Sequence, residues 1–131
     1  METEQKQAIS LRIKQAQETL VEARLLWEHD LWRGAINRSY YAMFYAVLAL
    51  AIFKGEILSK HTHAISFFDK EFVKTGEFSK EFSRSLHYWF DERQSSDYGE
   101  ITDIEQSEAQ TSIDAAIRFV EAVSAYLSDQ A

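Results

Sequence analysis

Apolar positions recur along this chain at helical spacing from one end to the other. Ile9, Ile13, Ala16, Leu20, Ala23 and Trp27 follow one another at steps of four and three residues, which puts them on one face of a helix. The pattern predicts a first helix from about Thr3 to His29. Asp30 stands where an N-cap would open a second helix over Leu31–Lys54. Gly55 suits the left-handed residue that closes such a helix. From Tyr40 to Phe53 every residue is apolar or aromatic. A helix apolar on all sides must be buried on all sides. The second helix is therefore expected at the centre of a bundle, or between its own core and a partner chain. The run is shorter than the roughly 20 residues that cross a bilayer, so no membrane role is expected.

Three more helices follow. Ser59 is placed to cap a third, which carries Ile65, Phe68 and Phe72 and ends at Thr75-Gly76. A fourth spans about Glu77 to Ser96, with Phe78, Phe82, Leu86, Trp89 and Phe90 facing inward, and Tyr98-Gly99 marks the next break. Thr102-Asp103-Ile104-Glu105 reads as a capping box. It opens a fifth helix striped by Ile113, Ala116, Ile117, Val120, Val123 and Leu127. Short connections between long helices make antiparallel neighbours. The expected fold is all-α, an up-and-down bundle of about five helices in a single domain over residues 1–131. The alternative is a tandem helical repeat, suggested by Trp27 to Ala42, but no second copy follows.

Composition sharpens this picture. There is no proline and there are only four glycines, which favours long helices with few breaks. The absence of cysteine removes disulfide and thiolate chemistry and fits a reducing compartment. The first ten residues lack the apolar core of a signal peptide, and a cytoplasmic location is expected. The net charge of −7 disfavours non-specific nucleic-acid binding, which needs Lys and Arg on the phosphates. A local basic cleft remains compatible with it.

The fourth helix offers the first candidate chemistry. Phe82, Leu86 and Phe90 form an inward row that Arg93 and Asp97 continue. One reading is a surface ion pair one turn apart. The other is that Arg93 lines a cleft or dimer seam, oriented by Asp97 and Tyr98. On the second helix Arg38 shares a face with Tyr41, Tyr45, Leu48 and Ile52. If that face meets the Arg93 end, two arginines and two tyrosines converge, and arginine forks suit phosphate and carboxylate. The plainer alternative for Arg38 is a structural salt bridge to Asp97 or Asp91. His61 and His63 are two residues apart and do not share a helical face. The paired Glu-x-x-His motifs of di-iron bundles are missing, as are a nucleophile elbow and a glycine-rich phosphate loop. No metal and no cofactor are expected.

Asn37-Arg38-Ser39-Tyr40-Tyr41-Ala42-Met43-Phe44, then Lys60-His61, then Arg93-Gln94-Ser95-Ser96-Asp97-Tyr98, in that order, resemble the HEPN domain family of prokaryotes. The likeness is nearest to its short stand-alone members and extends over about Leu20 to Leu127. It implies a helical bundle, usually a homodimer, whose gene often adjoins one for a minimal nucleotidyltransferase. Some such pairs are toxin–antitoxin modules. In them the HEPN protein is a metal-independent ribonuclease, with an arginine followed a few residues later by a histidine. Here no histidine follows Arg93, so Arg93 and Tyr98 carry over by position and the catalytic histidine does not. An aspartate does not replace an imidazole that titrates near neutrality. The expectation is therefore a protein without catalytic residues of its own. It would be a homodimer that docks a nucleotidyltransferase and holds a nucleotide or RNA phosphate through Arg38, Tyr41, His61, Arg93, Asp97 and Tyr98. The alternative is a ribonuclease toxin that pairs Arg93 with His61 or His87.

Overall fold

The structure is a computed structural model; it describes residues 2–97 and 104–130, apart from the side chain of Ser96. Five α-helices are found among them: α1 Thr3–Glu28, α2 Trp32–Phe53, α3 His61–Phe68, α4 Lys80–Asp97 and α5 Gln106–Asp129. No strand occurs among the described residues. Contacts between the helices fix their directions. Gln5 Nε2 donates to the Ile52 carbonyl at 2.9 Å while Arg38 approaches Glu22, so α1 and α2 run antiparallel. Asn37 bonds Asp97 and Tyr40 packs on Phe90, so α4 is antiparallel to α2. Ser39 meets Ser112 and Phe53 meets Tyr126, so α5 runs the same way as α2. This is the expected up-and-down bundle, with α2 packed against all four other helices.

The position of α2 follows from its sequence. Ala35, Ala42, Ala46, Ala49 and Ala51 are buried together with Ile36, Tyr40, Met43, Val47 and Leu50. The small residues let neighbouring backbones come close while the large ones fill the gaps. The helix has 22 residues and is long and apolar enough to cross a membrane. The length argument against a membrane span, made on the shorter apolar run, therefore does not hold for the whole helix. What opposes it is packing, since 56% of the apolar window is buried within the bundle. The outer strip of α2 is Arg38, Tyr41, Phe44, Tyr45, Leu48 and Ile52, and all of them are half-buried.

The helix ends correct several expectations. Asp30 does not cap α2. It adopts φ 63°, with Leu31 N–H on Leu26 O and Asp30 N–H on Trp27 O. This is a Schellman closure of α1, with an aspartate in the left-handed place usually held by glycine. Leu31 is the N-cap residue of α2 and makes no side-chain cap. Gly55 closes α2 as expected, at φ 76°. The N-cap of α3 is Lys60, not Ser59. α3 then continues through a π-helical turn, Asp69–Val73, in which Lys74 N–H bonds Asp69 O at 2.8 Å. That turn aims Phe72 at Phe67, Phe68, Phe78 and Tyr126. α4 begins at Lys80, later than expected. Glu105 is the N-cap of α5 and makes no side-chain cap. The capping box beginning at Thr102 therefore does not open the helix, and Thr102 and Asp103 lie outside the described residues.

A Cβ at Gly55 would meet nothing within 4 Å, so only the backbone would resist Gly55→Ala. A left-handed residue with a Cβ costs about 1–2 kcal/mol. The expected result is an unfolding free energy lowered by that amount, read as a lower urea midpoint with an unchanged denaturant slope.

Candidate functional site

The site lies where α2, the first turn of α3 and the last turns of α4 meet. Arg93 extends the inward row of α4, and its side chain is only 13% exposed, while the ion pair to Asp97 one turn on also forms. Its guanidinium carbon lies 5.4 Å from the Tyr40 ring centre, 5.6 Å from Tyr41 and 5.6 Å from Phe90. Its anion is Asp97, with Nη1 3.3 Å from Oδ2. That same oxygen accepts from Asn37 Nδ2 at 3.0 Å. The Nε of Arg93 is buried and has no hydrogen-bond partner among the described residues.

Arg38 reaches the same place from α2. Its guanidinium sits 4.8 Å from the Tyr41 ring centre. Two cations thus share one aromatic ring, and each contact is favoured by the ring's quadrupole. Nε and Nη2 of Arg38 both donate to Asn37 Oδ1, at 3.1 and 2.9 Å. Its carboxylate is Glu22 on α1, 3.7 Å away. The expected alternative partners, Asp97 and Asp91, are not used, because Asp97 is taken by Arg93 and Asn37 while α1 supplies an anion along the hairpin.

His61 is brought to Arg93 by the fold rather than by the chain. As the first residue of α3, it lies on Phe44 with ring centres 4.2 Å apart and meets Tyr41 edge-on at 5.4 Å. Phe90 flanks it at 6.2 Å. Its Nδ1 is 2.9 Å from the Tyr40 hydroxyl. Its pKa lies below the ordinary 6.5, first because burial penalises the charged ring and then because Arg93 repels it. Burial likewise pushes the Tyr40 phenol upward. Between the lowered value and 6.5, the unfolded chain binds more protons at His61 than the folded chain does. The stability contributed by a neutral His61 is thus complete above pH 6.5 and is lost as pH falls through that window. His61→Gln is expected to flatten the pH dependence of the urea midpoint below pH 6.5, in unfolding titrations compared with wild type.

His87 is elsewhere: its Nε2 bonds Asp69 Oδ2 at 2.7 Å, and Ser83 Oγ bonds the other oxygen at 2.6 Å. These bonds tie α4 to the π-helical turn. His63 is exposed. Of the expected site residues, Arg38, Tyr41, His61, Arg93 and Asp97 gather in one place, and Tyr98 lies outside the described residues. Sequence reasoning missed Asn37, Tyr40 and Phe90. Asn37 and Tyr40 lie within the quoted motif, but nothing in helical periodicity separates a buried tyrosine with a polar task from one that only fills space.

The HEPN domain profile matches residues 9–126. The chain belongs to the HEPN family. Among curated HEPN relatives, it is 37% identical over 116 residues to a UPF0332 protein of Thermotoga maritima, covering 88% of each chain. It is 32% identical to a protein named as a candidate toxin of Methanocaldococcus jannaschii, over 84% of this chain and 75% of that one. A second such protein of the same organism is 31% identical over 95% of this chain and 92% of its own.

Proposed function

We propose that this chain is a toxin-like HEPN protein whose cluster of side chains where α2, α3 and α4 meet binds the phosphate of a nucleotide or RNA without cleaving it. The observation that carries this reading is the placement of two guanidinium groups, Arg38 and Arg93, on the one ring of Tyr41, with His61 alongside. An oxyanion there would compete with Glu22 and Asp97 for the two forks, and charge-assisted bonds to phosphate are the strong kind. The names of the M. jannaschii relatives support a toxin-like role. The half-buried strip of α2 that adjoins the cluster, from Tyr41 through Tyr45 and Leu48 to Ile52, supports a homodimer. A minimal nucleotidyltransferase is the proposed partner and the cytoplasm the proposed location.

The test is a binding titration of purified protein with a 5′-mononucleotide and with short single-stranded RNA, alongside a cleavage assay without metal. Binding without cleavage supports the proposal. One observation favours a second reading, a metal-independent ribonuclease: the histidine missing downstream of Arg93 is replaced in space by His61. Cleavage lost in both Arg93→Ala and His61→Ala would establish that reading and overturn the first.

A further inference from the structure

Tyr40 has no exposed surface, yet it carries a hydroxyl that needs a partner. Among the described residues that partner is His61 Nδ1, at 2.9 Å. Burial keeps the phenol protonated, so the hydroxyl has one proton to give. A buried hydroxyl that fails to donate loses about 1–3 kcal/mol. The ring nitrogen facing it must therefore accept. In a neutral imidazole one nitrogen accepts and the other carries the proton, and the bond at one fixes the state of the other. Nε2 makes no hydrogen bond among the described residues, and His61 is half-buried.

We infer that Tyr40 is a positioning residue that holds His61 as the neutral Nε2–H tautomer, so that the cluster presents an imidazole donor beside the Arg93 guanidinium to a bound phosphate oxygen. This inference rests on the proposed anion-binding role and deepens it. A ring whose outer nitrogen already carries the proton donates to an oxyanion but cannot take a proton from a nucleophile there. The same contact thus separates binding from general-base catalysis. Among the described residues, the titratable and charged groups facing His61 are Tyr40 and Tyr41 from α2 and Arg93 from α4. Arg93 is paired to Asp97, one turn further along α4.

The tautomer can be read in the ligand-free protein. Long-range proton–nitrogen NMR of 15N-labelled protein above the titration of His61 should show the Nε2-protonated pattern. Tyr40→Phe keeps the ring and removes the donor. It should give a mixture of tautomers and raise the His61 pKa, because the lost bond favoured the neutral form. Arg93→Ala should also raise that pKa but leave the tautomer as in wild type, a distinction that a merely structural role for Tyr40 would not produce. An Nδ1-protonated pattern in wild type, or a Tyr40→Phe spectrum with pattern and pKa unchanged, would overturn the inference. Inorganic phosphate is then added. The expected result is a shift of the Nε2 resonance in wild type and affinity weakened about fivefold in Tyr40→Phe, the size of one hydrogen bond. An Nε2-protonated ring that phosphate leaves unmoved would sink the anion-binding reading alone.

Discussion

Replacing Phe68 with alanine is expected to cost about 3–5 kcal/mol of stability, the range found for truncating a buried aromatic. Phe68 has no exposed surface and joins three parts of the chain. It packs on Phe72 of the π-helical turn, on Phe78 ahead of α4 at 5.4 Å, and on Phe119 of α5 at 5.2 Å. Stiff rings line the space that its removal would leave, so the site cannot collapse to fill it, and the cavity contribution stays with the lost burial. Domains are stable by only about 5–15 kcal/mol, so the loss should be plain in a urea titration as a large fall in midpoint. A midpoint within error of wild type would mean that α3 is not clamped beneath α5. Phe44→Ala should cost less, since Phe44 is half-buried, and its main local effect should be to loosen His61.

Arg93→Ala is expected to weaken binding of a phosphate-bearing ligand by about 30- to 1000-fold, or about 2–4 kcal/mol, the scale for removing one partner of a desolvated charge pair. The magnitude follows from burial: a guanidinium 13% exposed is screened little by solvent, whereas an exposed pair contributes little. Arg93→Lys should recover only part of the affinity. It restores a point charge but neither the fork nor the stacking on Tyr40, Tyr41 and Phe90. The bundle should remain folded in both variants. Isothermal titration with a 5′-mononucleotide measures the affinities, and equal affinity in wild type and Arg93→Ala would remove Arg93 from the site.

Much of this arrangement was legible in the chain because helical periodicity carries it. The row from Phe82 to Asp97 correctly turned Arg93 inward, and the row from Arg38 to Ile52 correctly grouped the outer strip of α2. Both follow from the turn length of a helix and require no knowledge of the neighbours. The approach of His61 to Arg93 was not legible in periodicity and entered only through the family resemblance, because it depends on how α3 crosses α2 and α4, and no local spacing encodes that crossing. Tyr40 was hidden in the same way, inside a run where every neighbour is apolar. Asp30 misled for a different reason. An aspartate between two helices fits a cap at either end, and only backbone geometry decides between them; here φ 63° assigns it to the helix behind it.

The direction of α5 has a consequence for how the chain reaches this state. α1 and α2 are joined by the short turn at His29–Leu31 and pack antiparallel, so their contacts are near in sequence and close at small entropic cost. α5 lies beside α2 in the same direction, and its Ser112 meets Ser39 across 73 residues. Contacts of such long range are slow to form. The α1–α2 hairpin is therefore the natural early structure, and α5 docks on it late. Until it does, the Ser39 side of α2 stands open to solvent, and the growing chain carries one face of its central helix uncovered for as long as the ribosome is still making α5.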